Sequence, residues 1–131
     1  MLESRIISIS IDRNWKDIYE NIWRPQDFPK WASGLARSTL VQEGDVWKVE
    51  GAEEPVRIRF TGHNPFGVMD HYVSAGSKPE VYVPMRIIRN DDGAEVQLTL
   101  FRQPGMTDAE FAADAEWVTR DMQALRALFT H

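Results

Sequence analysis

Residues 104–131 read PGMTDAEFAADAEWVTRDMQALRALFTH, and this stretch decides the fold. Thr107 and Glu110 form a T-x-x-E capping box, in which each side chain satisfies a free backbone donor of the first helical turn. Phe111, Ala115, Val118, Met122, Leu125 and Phe129 then recur at steps of four and three, and Trp117, Ala124 and Leu128 widen the stripe. That spacing predicts an amphipathic helix over residues 107–129. Acidic residues crowd its first half, where the helix dipole favours them. At roughly 1.5 Å per residue the helix is about 30–35 Å long, enough to cross a whole small sheet.

The chain ahead of it supplies the sheet. From Leu35 to Gln103 one strand pattern follows another, separated by the turn signals EGD, GAEEP, GHNPFG, AGSKPE and NDDG. In PVRIRFTG, Val56, Ile58 and Phe60 share one face while Arg57, Arg59 and Thr61 share the other. In EVQLTLF, Val96, Leu98 and Leu100 oppose Gln97, Thr99 and Phe101. VYVPMRII and AEVQLTLF flank NDDG as a hairpin. One apolar and one wetter face per strand make an antiparallel sheet with one side covered. Upstream, RIISISI alternates as a strand, with Ile7, Ile9 and Ile11 on one face. Asp12 and Asn14 then offer N-cap oxygens to NWKDIYENIW. Pro25 interrupts that helix, and PQDFPKWASG reads as a second short helix ending near Gly34. The expectation is an α+β domain over residues 1–131. Its curved antiparallel sheet, of about seven strands, wraps around the long C-terminal helix, with two short helices after the first strand.

Composition narrows the partners. The 131 residues are 43% hydrophobic and 27% charged, the balance of a folded domain. The formal net charge of −5 and the dispersed Arg residues argue against a nucleic-acid face. There is no Cys, so thiolate and disulfide chemistry are excluded. No apolar run is long enough to span a bilayer, and the first residues do not read as a signal peptide, so a cytoplasmic location is expected. His63, His71 and His131 lack the spacing of a metal site, and neither a metal nor another cofactor is expected. P-loop, G-x-G-x-x-G and G-x-S-x-G patterns are absent. The acidic stretches GAEEP and NDDG are explained by turns.

The stretches ISIDRNWKDIYENIWRPQDFPKWASGL, FGVMDHYV, VPMRII, LFRQPGMTDAEFAADAEWV and DMQALRALF together resemble the SRPBCC or START-like superfamily. This is the helix-grip fold shared by pollen allergens and polyketide cyclases. The combination of DH, VPMR and LFRQPGM looks like a bacterial polyketide cyclase-like subgroup. The resemblance covers essentially the whole chain. It implies a cavity between the concave sheet and the last helix that holds an apolar or aromatic small molecule, consistent with the general character of small-molecule sites.

The inward strand positions supply the expected lining: Trp47 and Val49, Ile58 and Phe60, Met69 and His71, Val83 and Met85, then Leu98, Leu100 and Arg102. The helix adds Phe111, Val118 and Met122, and Trp31 borders the mouth. Met85 and Met122 suit an adaptable wall. Arg102 is read either as a guanidinium at the cavity end or as a surface ion pair. Trp15 and Trp117 are read as core. Asp70 and His71 are strand neighbours and so point to opposite faces, which argues against a dyad within the dipeptide. An unpaired buried carboxylate costs far more than a neutral imidazole, so His71 is placed inward and Asp70 outward, toward Arg86. His71 is then a core histidine bonded to one backbone or hydroxyl group, or a polar anchor or general base. Binding of an apolar small molecule leads. The alternatives are a cyclase or dehydrase using His71 as acid or base, and a protein-interaction module with an exposed apolar patch.

Overall fold

The computed structural model describes residues 1–35, 38–51 and 54–130. The middle of the GAEEP turn and His131 therefore lie outside the described residues. Strand β1, Ser4–Ile11, keeps the predicted alternation and ends with Ile11 buried. Asn14 caps helix α1, Trp15–Ile22, through Oδ1, which accepts from Lys16 N at 2.9 Å and Asp17 N at 3.4 Å. Pro25 starts a new element, as predicted, but the second helix is a 3-10 turn, Pro25–Lys30, followed by another, Ser33–Leu35. Pro29 lies inside the first of these and lacks the N–H that a continuing α-helix would need.

The strands then run β2 (Thr39–Glu43), β3 (Val46–Glu50), β4 (Val56–Phe60), β5 (His71–Ala75), β6 (Val81–Val83), β7 (Met85–Asn90) and β8 (Gly93–Phe101). All pairings are antiparallel. The expected single sheet of about seven strands is corrected to eight strands in two sheets among the described residues. One has the order β1-β8-β7 and the other β2-β3-β4-β5-β6.

The reason lies in VYVPMRII. Pro84 has no N–H to give to a ladder, so the run breaks there. Residues before it pair with β5, and residues after it pair with β8. The sheets are stitched along this break. Met69 N donates to Met85 O, Ile87 N to Gly67 O and Thr99 N to Pro84 O, each at 2.9 Å.

Helix α2, Asp108–Ala127, follows the predicted capping box on Thr107 and Glu110. It lies against β1 and buries Phe111, Ala115, Met122 and Leu125. The centre of the molecule is filled by Ile18, Ile22, Ile58, Met85, Ile87, Val96, Met122 and Leu125. Each such side chain contributes about 1.5–3 kcal/mol through removal from water. None of the described helices is long and apolar enough to cross a membrane.

Candidate functional site

The predicted lining residues divide into separate places. Ile58, Leu100 and Val118 meet at an open groove of about 450 Å³ between the sheets and α2. Val56 and Val73 extend its floor, and Phe28, Ala32, Gly34 and Leu35 of the 3-10 segments form one wall. Helix α2 forms the opposite wall with Asp114, Trp117, Val118 and Asp121.

Trp31, Phe60, Met69 and His71 line a different, deeper space with Ile22, Trp23, Arg24, Phe28 and Thr61. Its volume is about 10 Å³, close to the minimum for a single water. Phe28 belongs to both walls and meets His71 edge-on at 5.3 Å between centroids.

Val49, Met85, Leu98, Phe111 and Met122 are buried, while Trp47 and Val83 pack half-buried against the core. None of these seven borders either space. Arg102 borders neither. Its guanidinium bonds the Met106 carbonyl, Glu3 and Asp108, which makes it an ion-pair hub ahead of α2.

On the α2 side of the groove, sequence reading names Val118 but not Asp114, Trp117 or Asp121. Trp117, expected in the core, is 48% exposed and faces it. The available signal was Asp114 and Asp121, two helical turns apart, which place Trp117 on the polar edge of the stripe. Asp121 Oδ1 accepts from Ser33 N at 2.9 Å and Ser33 Oγ at 2.6 Å, tying α2 to the opposite wall. Burial pushes the Asp114 carboxyl above its ordinary range, and Glu110 adds to the effect. Burial does the same to Asp121, with the Ser33 bonds opposing it.

The DH pair is resolved by strand geometry. His71 is buried at the start of β5, and Nδ1 lies 3.1 Å from Met69 O. A carbonyl only accepts, so Nδ1 carries the proton and Nε2 is bare in the neutral ring. Trp31 Nε1, a wall of the same small space, is a buried donor without a partner among the described residues. Asp70 turns the other way and pairs with Arg86. Its role is larger than that of a loose surface ion pair. It also accepts from Met85 N at 2.9 Å and Tyr82 Oη at 3.0 Å, and so holds both sides of the Pro84 break.

Burial pushes the His71 pKa below its ordinary 6.5, and the bond to Met69 O opposes this only in part. The unfolded chain therefore takes up the proton first as pH falls. The stability due to neutral His71 is complete above about pH 6.5 and declines below it. In urea titrations across that range, His71→Gln should show a shallower decline than the parent protein. Carboxylate contributions are common to both proteins and cancel in the difference. Parallel pH profiles would rule out His71 as the source of the decline.

A second buried ionic site was not anticipated. Asp27, with its side chain 2% exposed, receives Arg24 Nε at 3.1 Å, Arg24 Nη2 at 3.2 Å and Lys30 Nζ at 2.9 Å. Burial alone would raise the Asp27 pKa, but the Arg24 and Lys30 bonds and charges together outweigh it and hold the carboxyl below its ordinary range.

On the outer face, Trp15, Tyr19, Glu20, His63 and Asn64 shape another open concavity, where His63 Nε2 meets Glu20 Oε1 at 2.7 Å. Among the described residues no group of three or more His, Asp or Glu is placed to hold a metal.

No family model matches the chain, and no curated protein matches it in sequence. Solved structures do match. XoxI from Bacillus cereus has a TM-score of 0.76 at 15% identity, covering 99% of this chain and 100% of that one. Ara h 8.0201 has a TM-score of 0.69 at 13% identity, covering 98% and 97%. DynU16, a protein in the dynemicin biosynthetic locus, has a TM-score of 0.73 at 15% identity, covering 96% of this chain and 46% of that one. These likenesses extend over nearly the whole chain, and with the antiparallel sheets packed on a C-terminal helix they show that it has the helix-grip fold.

Proposed function

We propose that this protein binds an apolar or aromatic small molecule in the groove between its sheets and α2, as a member of the bacterial polyketide cyclase-like subgroup. The observation that carries the reading is the groove itself. Its volume of about 450 Å³ falls within the usual range for small-molecule sites, and its walls are mostly aliphatic and aromatic. The shared fold with DynU16, of a biosynthetic locus, supports a ligand of that general kind. Binding stands ahead of acid–base catalysis by His71, because the imidazole borders room for about one water and Phe28 lies against it.

Trp117 supplies both the probe and the variant. A ligand entering the groove should change tryptophan fluorescence and raise the melting temperature. At a hundredfold its Kd the stabilisation is about 2.7 kcal/mol. Trp117→Ala should weaken binding roughly tenfold and lower stability by only about 1–2 kcal/mol, because about half of the ring is already in water. A panel of apolar and aromatic compounds producing neither signal would remove the small-molecule reading. Undiminished binding by the Ala variant would move the site away from α2.

A further inference from the structure

Among the described residues, the proposed groove carries charge of only one sign: Asp114 and Asp121 are the charged side chains that line it. They stand two helical turns apart, roughly 10 Å along the axis, with Trp117 and Val118 between them. Asp114 forms no hydrogen bond or ion pair with any described residue. Both bonds to Asp121 fall on Oδ1, which leaves Oδ2 without a partner among the described residues. Arg120 does not offset them from within. Its guanidinium lies 5.9 Å from the Trp117 ring centroid and lines a neighbouring groove with Arg5 and Glu116.

The geometry points to an apolar or aromatic ligand that carries a cationic amine, its body against Phe28, Ile58 and Trp117 and its charge against Asp114 and Asp121. This rests on the groove being the binding site. The elevated carboxyl pKa values fit such a ligand, since a carboxylate that is partly desolvated and lacks a cation is stabilised when the ligand brings one. A carboxylate-bearing ligand would meet like charge at both positions, so the arrangement also selects by exclusion.

Three probes of nearly equal size and different charge test this: 1-naphthylmethylamine, 1-naphthylmethanol and 1-naphthylacetic acid, each titrated calorimetrically near neutral pH and low salt. The amine should bind roughly tenfold more tightly than the alcohol, the range of one charge-assisted hydrogen bond, and the acid more weakly than either. In the Asp114→Asn, Asp121→Asn double variant the amine should fall to the level of the alcohol. The alcohol's affinity should change far less than the amine's, and an unchanged circular dichroism spectrum certifies the variant as folded. Equal binding of all three probes to the parent protein, or an amine preference that survives in the double variant, would overturn the charge selection and leave the groove reading standing. Failure of all three to bind would remove the groove reading, and the selection with it.

Discussion

Gly67→Ala should lower stability by about 3 kcal/mol and the melting temperature by roughly 10 °C. Gly67 has a φ of 68°, and an added Cβ would stand 2.3 Å from the Ile87 carbonyl oxygen. The left-handed conformation alone costs an alanine about 1–2 kcal/mol. Relieving the clash means moving backbone, with loss of the Ile87 N to Gly67 O bond that helps join the two sheets. An unmade buried bond costs about 1–3 kcal/mol more. Gly44→Ala is the control. Its φ is 64° with nothing within 4 Å, so it should cost only about 1–2 kcal/mol. Equal losses in the two variants, read by thermal unfolding, would mean that the approach at residue 67 relaxes freely and is not a fixed tie between the sheets.

Removing both cations around Asp27 should be at least as damaging. The double substitution Arg24→Met, Lys30→Met leaves a buried carboxylate with no counter-charge, a situation that costs about 3–5 kcal/mol. Asp27→Asn should cost about 1 kcal/mol, because Arg24 and Lys30 are already 56% and 53% exposed and water takes over their solvation. The asymmetry has a pH signature. Asp27 is depressed in the folded protein, so its contribution is present above the unfolded carboxyl pKa of about 4 and is lost as pH falls through the lower folded value. The double variant should lose that acid-side decline and instead gain stability as pH is lowered toward protonation of Asp27. Denaturant midpoints measured between about pH 3 and 7 distinguish the two behaviours. Equal costs for Asp27→Asn and the double variant would show that the carboxylate is not effectively desolvated.

What could be read from the sequence was whatever local periodicity encodes. The Thr107–Glu110 capping box, the inward stripe of α2 and the opposite facing of Asp70 and His71 all follow from backbone geometry that neighbours cannot change. Pro84 was visible but misjudged. A proline inside VYVPMRII signals a break, and the continuous alternation on either side hid it. Asp27 was beyond local reading, because DFP offers no sign that the carboxylate turns inward under Arg24 and Lys30. The groove was legible in part. Ile58, Leu100 and Val118 border it because strand parity and helix spacing place them inward. Met85, Leu98 and Met122 satisfy the same pattern but pack solid, since parity cannot distinguish a wall of a space from a filled core. Trp117 failed for the opposite reason. A large apolar residue on a helix reads as core, while Trp117 lies on the polar side of the stripe, one edge of its ring against Gly34 and about half of it in water.

The pairing of β1 with β8 has a consequence for the order of events at the ribosome. Ser4 lies opposite Phe101 and Ile11 opposite Ala94, so β1, made before the other seven strands described, is matched to β8, made after them. At about 5–20 residues per second, roughly 80 residues of further synthesis keep Ile7, Ile9 and Ile11 waiting some 4–16 s without their native partner. The β2-to-β5 meander, with nearest-neighbour pairings, can close while the chain is still growing. Ser8 and Ser10 then do more than line a wet face. They interrupt what would be an all-aliphatic nascent segment, and so limit its tendency to pair with another unfinished chain during that interval.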